Sequence, residues 1–149
     1  MTAAMSSGYL VHRPPPIARA SGSSVTILVT AADSSGGIGM METVSPPHSP
    51  GPPLHIHSRE DETFYVVAGT GEFWLGETRF VCGPGSRIFG PRGVPHRYQN
   101  AGETDLKVLI VYSPGGFEQS FIDIAAMGHS GADRSATGDV MVKYGVTRV

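Results

Sequence analysis

Frequent turn signals between Leu54 and Tyr112 are the feature of this sequence that most restricts its fold. Short runs of apolar and β-branched residues alternate there with turns that contain glycine or proline, roughly every six to ten residues. Such spacing leaves no room for long helices and is typical of an all-β sandwich or barrel. The composition agrees, because 20 glycines and 12 prolines accompany a charged fraction of only 16%.

Strand and helix signals divide the 149 residues into three parts of one predicted domain. The barrel is expected over residues 25–113, beginning with the β-branched strand Val25 to Thr30. Residues 1–24 carry a proline run and a serine and glycine cluster, so we expect an N-terminal arm there. Residues 114–149 are expected to hold a short helix that stops at Gly128 and a tail, with residues 130–138 as a flexible link.

Charge, cysteine content and hydropathy exclude several classes of protein. A net charge of −2 provides no basic footprint for nucleic acid. No apolar run approaches the ~20 residues that a membrane span needs, and residues 1–8 lack the pattern of a signal peptide. The single cysteine, Cys82, excludes an internal disulfide. We therefore expect a cytoplasmic protein with no nucleic-acid or membrane partner.

Three histidines and a glutamate form the strongest candidate site in the sequence. His55 and His57 are two residues apart, so their side chains lie on the same face of a strand. Glu62 precedes the next apolar run, and His96 belongs to a later predicted strand. Because closure of a barrel brings non-neighbouring strands around one axis, the four side chains can meet inside it. Imidazole and carboxylate groups in this combination indicate a metal site.

The same residues belong to two sequence patterns that resemble the two motifs of the cupin superfamily. The first pattern comprises His55, His57, Glu62 and Gly69, with the family's spacing between them. The second comprises Gly85, Pro91, Gly93, His96 and Asn100, which fit the family's pattern at every position. The leading glycine of the first motif is displaced, since Ser49 occupies its place and Gly51 follows two residues later. The resemblance covers residues 25–113, and the following helix is similar to that of small quercetin-dioxygenase-like cupins.

This resemblance implies a double-stranded β-helix, which is the jelly-roll barrel of the cupins, with a short C-terminal helix. It also implies that His55, His57, Glu62 and His96 bind one divalent transition metal ion. Ligand type does not choose between Fe, Mn, Ni, Co, Cu and Zn. Four protein ligands on a six-coordinate ion leave room for a substrate, and Glu62 can also accept a proton as the catalytic residue.

The walls of the predicted substrate pocket are apolar and aromatic. Strand parity directs Phe64, Phe73 and Tyr98 inward, with Met40 as a further candidate. Ordinary barrel packing is the favoured explanation for most of these side chains. Arg87 can clamp a substrate carboxylate if it points inward. A solvated position at a strand edge is the favoured alternative for this arginine.

Three functions are compatible with these residues. The favoured one is a metal-dependent dioxygenase that acts on an enolic, phenolic or polyketide-like small molecule chelated at the metal. An isomerase, cyclase or decarboxylase would use the same ion without O₂, as a Lewis acid. A non-catalytic module would bind a small molecule and keep the metal as a structural element. The exposed edges of a short barrel also lead us to expect a homodimer.

Overall fold

In a computed structural model, residues 8–12, 14–128 and 134–149 are described. The strands are β1 (Ile17–Ala18), β2 (Ser24–Val29), β3 (Gly39–Ser45), β4 (His55–His57), β5 (Asp61–Ala68), β6 (Gly71–Leu75), β7 (Thr78–Cys82), β8 (Arg87–Gly90), β9 (His96–Asn100), β10 (Leu106–Ser113) and β11 (Val146–Arg148). The helices are α1 (Gln119–Ala126) and α2 (Arg134–Lys143). Across these described ranges, no helix has the length and apolar character to cross a membrane.

Two antiparallel sheets form the body of the protein. The first sheet has the strand order β1-β2-β3-β10-β5-β8, and the second has the order β11-β4-β9-β6-β7. Consecutive strands such as β4 and β5 lie in different sheets, so the chain crosses repeatedly from one layer to the other. This topology confirms the predicted all-β jelly roll.

Strand β10 is the central strand of the first sheet, where it lies between β3 and β5. Its alternate residues Leu106, Val108 and Ile110 are at most 1% exposed, because successive side chains of a strand point to opposite faces. Removing each of them from water stabilises the fold by roughly 1.5–3 kcal/mol. On the second sheet, the Phe73 and Tyr98 rings stack with centroids 5.4 Å apart. The core therefore lies between the two layers.

The C-terminal segment differs from the sequence prediction in one respect. Helix α1 lies where the apolar periodicity predicts it, and Gly128 follows its end with a φ of +72°. Residues 134–138, however, begin α2 instead of forming a flexible link, and residues 130–133 lie outside the described part of the chain. The polar sequence of α2 has no apolar stripe, so it shows no helical periodicity. Contacts with α1 and β11 stabilise this second helix instead.

Strand β11 returns to pair with β4, the strand that carries two of the candidate ligands. Val146 lies opposite His57, and Arg148 lies opposite His55. On its other side, β4 pairs with β9 through His55 and His96. The end of the chain therefore holds β4 in place from one side while the barrel holds it from the other.

Candidate metal centre

Strands from both sheets bring the four candidate ligands together. Strand β4 carries His55 and His57, which point to the same side because one residue separates them. Glu62 lies near the start of β5, and His96 begins β9 opposite His55. His57, Glu62 and His96 are buried, and His55 is partly exposed.

One potential ligand atom from each of these side chains lies within 4.8 Å of the others. His96 Nε2 is 2.7 Å from Glu62 Oε2, and His57 Nε2 is 3.3 Å from the same oxygen. The rings of His55 and His96 are 4.6 Å apart between centroids. Bonds of about 2.0–2.2 Å to a shared ion separate its ligands by roughly 3–4 Å. The cluster therefore needs only a small contraction to surround an ion.

A hydrogen bond fixes the far side of each imidazole. Nδ1 of His55 and Nδ1 of His96 donate to backbone carbonyls at 2.8 and 3.0 Å. Nδ1 of His57 donates to Oε1 of Glu60 at 2.5 Å. Because a carbonyl or carboxylate oxygen only accepts, each Nδ1 carries a proton. The Nε2 atoms are left to face the cluster, as metal ligation requires.

The charged groups of the cluster influence one another's protonation. Burial alone would raise the pKa of Glu62, but the hydrogen bond from His96 and the nearby imidazoles hold this pKa below its ordinary value. Burial would lower the pKa of His96, yet the hydrogen bond to Glu62 raises it. For His55 burial prevails and lowers the pKa to about 4. At neutral pH, Glu62 is therefore a carboxylate and His55 is a neutral imidazole.

An unpartnered nitrogen in the cluster fits a bound cation. His57 is fully buried, and its Nε2 has no hydrogen-bond partner among the residues that the structure describes. A buried polar atom without a partner costs roughly 1–3 kcal/mol, so folded proteins rarely leave one. With Nδ1 protonated, this nitrogen is a lone-pair donor that a metal ion can satisfy. The donor set of His55, His57, Glu62 and His96 suits a divalent transition metal, and these residues could hold one.

Glu60 is a residue of the site that sequence reasoning missed. Its side chain is buried and accepts the hydrogen bond from His57 Nδ1. A carboxylate behind a ligating histidine fixes the ring orientation and increases its basicity. The signal that could have revealed it is its position three residues after His57, in the turn between β4 and β5. There the chain reverses and brings the carboxylate back to the ring.

A cavity of about 670 Å³ opens beside the cluster, and His55 and Glu62 form part of its wall. Most of the remaining wall is apolar and comes from both sheets and both helices. Its apolar and aromatic members include Val25, Met41, Phe64, Tyr98, Ile110, Tyr112, Phe117, Phe121 and Met141. A cavity of this size and character is typical of small-molecule sites.

Only some of the predicted pocket residues line the cavity. Phe64 and Tyr98 line the cavity. Phe73 is buried but packs behind this wall, with its ring centroid 5.6 Å from that of Phe64, so it belongs to the core. Arg87 does not line the cavity; it is exposed on strand β8 at the edge of the first sheet, opposite Tyr65. This is the solvated alternative that the sequence favoured for Arg87.

Met41, rather than Met40, lines the cavity, which corrects the sequence prediction. The alternation of β3 buries Gly39, Met41 and Thr43 and leaves Met40 on the opposite face. Two adjacent methionines have the same hydropathy, so the sequence does not reveal which of them points inward. The phase of the strand is set by pairing with β10, where Met41 lies opposite the buried Ile110.

Two buried tyrosines line the cavity. The hydroxyl of Tyr98 lies 3.0 Å from Thr43 Oγ1, and burial raises the pKa of Tyr98 to about 12. Burial and the charge of Glu62 raise the pKa of Tyr112 well above its ordinary value. Both groups therefore stay protonated at neutral pH and can donate hydrogen bonds. Tyr112 was not anticipated as a cavity residue, although the alternation of β10 directs it inward.

Residues 41–112 match the family model of the cupin domain. An uncharacterized protein of Methanocaldococcus jannaschii is 33% identical over 70 residues, which are 46% of this chain and 56% of that protein. The chain spans about half the length of the curated relatives it matches. All four candidate ligands lie within the segment that matches the family model.

Solved structures share the fold. A predicted oxalate decarboxylase from Thermotoga maritima is 25% identical with a TM-score of 0.61, over 68% of this chain and 91% of that one. An RmlC-like cupin from Shewanella frigidimarina is 17% identical with a TM-score of 0.64, over 76% of this chain and 96% of that one. Residues 41–112 therefore resemble a cupin domain in sequence and in fold, and the His₃Glu cluster lies within this segment.

Proposed function

We propose that this protein is a metal-dependent dioxygenase that acts on an enolic, phenolic or polyketide-like small molecule. The observation that carries the proposal is the convergence of His55, His57, Glu62 and His96 beside a cavity large enough for such a molecule. A divalent transition metal held there would supply Lewis acidity and, if redox-active, electron transfer to O₂. The resemblance of the helix after the barrel to that of small quercetin-dioxygenase-like cupins supports the oxygenase chemistry.

The residues of the chain supply the other parts of the reaction. Glu62, a carboxylate at neutral pH, accepts the proton of the substrate's enol or phenol hydroxyl. Tyr98 remains protonated and donates a hydrogen bond to a substrate oxygen. Loss of the substrate proton raises the electron density at the neighbouring carbon, to which O₂ adds, and both oxygen atoms enter the product. Apolar walls such as Phe64 and Phe117 exclude water from the reacting centre.

The test is oxygen consumption by protein loaded separately with Fe, Mn, Ni, Co, Cu or Zn. Quercetin, acetylacetone and 3,4-dihydroxybenzoate serve as chelating probes of the substrate class. We expect O₂ uptake that matches substrate loss, with both atoms of ¹⁸O₂ in the product. Glu62→Gln should lose turnover and retain its fold, whereas His48→Ala, at an exposed histidine outside the cluster, should keep it. Turnover that continues unchanged without O₂ would contradict the dioxygenase assignment.

One observation favours a second function, an O₂-independent decarboxylase, isomerase or cyclase. The predicted oxalate decarboxylase of Thermotoga maritima shares the fold at 25% identity. In that case Glu62 would move a proton without any oxidation of the substrate. Product formation under strict anaerobiosis, with the same loss in Glu62→Gln, identifies this alternative. Ligand binding without turnover in any metal form, retained in Glu62→Gln, identifies a non-catalytic binding module.

A further inference from the structure

More positively than negatively charged side chains line the cavity. In the described part of the chain they comprise three arginines, Arg19, Arg97 and Arg148, and a single carboxylate, Glu62. In the proposed site that carboxylate is already committed to the metal cluster. The remaining surface of the cavity therefore carries an excess of positive charge, which favours an anionic ligand.

Among the described residues, two arginines of the cavity have a solvent-inaccessible guanidinium nitrogen without a hydrogen-bond partner, Nε of Arg97 and Nη1 of Arg19. Arg97 donates from Nη2 to Gln99 at 2.6 Å, and its guanidinium lies 4.5 Å from the centre of the Trp74 ring. Arg148 is exposed at the end of β11.

The guanidinium of Arg19 is held in place by packing. It lies 5.1 Å from the centroid of the Phe121 ring on α1, within the range of a cation–π contact. Arg19 lines the cavity together with Tyr98 and Phe121. The side chain is therefore oriented before any ligand arrives, so little rotamer entropy remains to be lost on binding.

An inaccessible guanidinium nitrogen without an acceptor is costly, and this cost points to a ligand. Burial lowers the pKa of Arg19, but arginine stays charged in proteins, so its Nη1 requires an acceptor. Thr137, on α2, is only 5% exposed, and its Oγ1 is a second unpartnered polar atom in a residue that lines the same cavity. A carboxylate matches the planar fork of a guanidinium, and a hydroxyl can donate to the same kind of group.

We propose that Arg19 binds a carboxylate group of the substrate and so makes this cavity selective for acidic small molecules, with Thr137 as a further hydrogen-bond donor. The inference rests on the proposed function for the position of the substrate beside the metal cluster. Both residues lie outside residues 41–112, the segment that matches the cupin domain. Selectivity for the acid is thus supplied by the segments that flank this domain.

The test uses three catechols that differ only at the end opposite the chelating hydroxyls. They are 3,4-dihydroxybenzoate, the neutral 3,4-dihydroxybenzamide and 3,4-dihydroxyphenylphosphonate. Dissociation constants are measured by calorimetry on full-length protein loaded with redox-inert Zn, and again after metal removal. We expect the carboxylate to bind roughly tenfold to a hundredfold more tightly than the amide, as for a hydrogen bond between charged groups.

Variants separate the role of Arg19 from a general effect of positive charge. Arg19→Gln should reduce the preference for carboxylate over amide to nearly one, and Arg19→Lys should retain part of it. Arg87→Gln, which removes the same charge from an exposed position outside the cavity, should keep the full preference. If Arg19→Gln does not fold, Arg19→Lys still tests the role of Arg19. Loss of the planar fork should weaken carboxylate binding and leave amide binding unchanged.

The outcomes distinguish this inference from the proposed function. Metal-dependent binding of all three catechols without a carboxylate preference overturns the role of Arg19 and leaves the metal site intact. An Arg19-dependent preference, with dissociation constants that metal removal leaves unchanged, supports the anion site and contradicts the proposed chelation. A stronger preference for the phosphonate than for the carboxylate overturns the assignment to carboxylic acids. Absence of binding by every compound contradicts both.

Discussion

Side chains that lie behind the candidate metal ligands fix the orientation of those ligands. The imidazole of His57 is fully buried, so it cannot be reoriented by solvent. Its only hydrogen-bond partner in the described structure is Glu60, at 2.5 Å from Nδ1. Removing the negative charge of Glu60 would leave His57 free to adopt the other tautomer, in which Nε2 carries the proton and cannot bind a metal.

Glu60→Gln is therefore expected to weaken metal binding about 10- to 100-fold, as for other partners of ligating histidines. The dissociation constant for Zn is measured by competition with a chromogenic chelator at constant pH. Glu103→Gln serves as the matched control, because Glu103 also contacts a histidine, His48 at 3.1 Å, but lies exposed on the surface. Equal affinity in Glu60→Gln and the native protein would refute the role of this carboxylate.

Among the elements, the proline-rich connection between β3 and β4 determines how the first histidine enters the site. Gly51 in this connection has a φ of +67°, and a Cβ added there would lie 1.9 Å from the carbonyl oxygen of Tyr98. The loop thus passes directly over β9, whose Tyr98 lines the cavity. Only glycine combines this left-handed conformation with so close an approach. The displaced glycine of the first motif therefore has a structural purpose of its own.

Gly51→Ala is expected to destabilise the protein by at least about 2 kcal/mol, through backbone strain and the clash with Tyr98. The free energy of unfolding is measured by urea titration. Gly83→Ala is the control, since a Cβ at Gly83 meets nothing within 4 Å, and we expect a change within about 0.5 kcal/mol. Equal stability of the two variants would show that the connection shifts freely away from β9.

Across the whole molecule, the cavity is assembled from the barrel and from the segments on both sides of it. Arg19 follows β1, Phe121 lies on α1, Thr137 lies on α2, and all three line the cavity together with barrel residues. The pairing of β11 with β4 then connects the last strand to His55 and His57. Metal binding and the stability of the entire fold should therefore be linked, because the ligands come from both sheets.

Removal of metal is expected to lower the thermal midpoint of the protein. A free metal concentration about a thousand times the dissociation constant stabilises the folded state by about 4 kcal/mol, which corresponds to a shift of roughly 10 °C for a chain of this size. Midpoints are compared by calorimetry after chelation and after Zn is restored. His57→Ala should show no response to Zn. If the native protein has the same thermal midpoint with and without metal, the candidate metal centre is contradicted.

The homodimer and the cytoplasmic location stay predictions. Large apolar side chains such as Tyr65, Val67 and Phe89 are exposed on β5 and β8. A second copy of the chain covering this surface would be detected as a doubled mass in solution, which sedimentation velocity measures directly.

The sequence by itself determined the class of fold and the four candidate ligands. Both depend on local regularities, because turn residues and strand parity act over a few positions. His55, His57, Glu62 and His96 have a spacing that the barrel converts into one cluster.

The tertiary structure alone decided which of two adjacent methionines faces the cavity, since Met41 follows from pairing with β10. It also decided that polar residues 134–143 form a helix, and that Arg19 lines the cavity. Their environments are created by distant parts of the chain, so no local pattern encodes them.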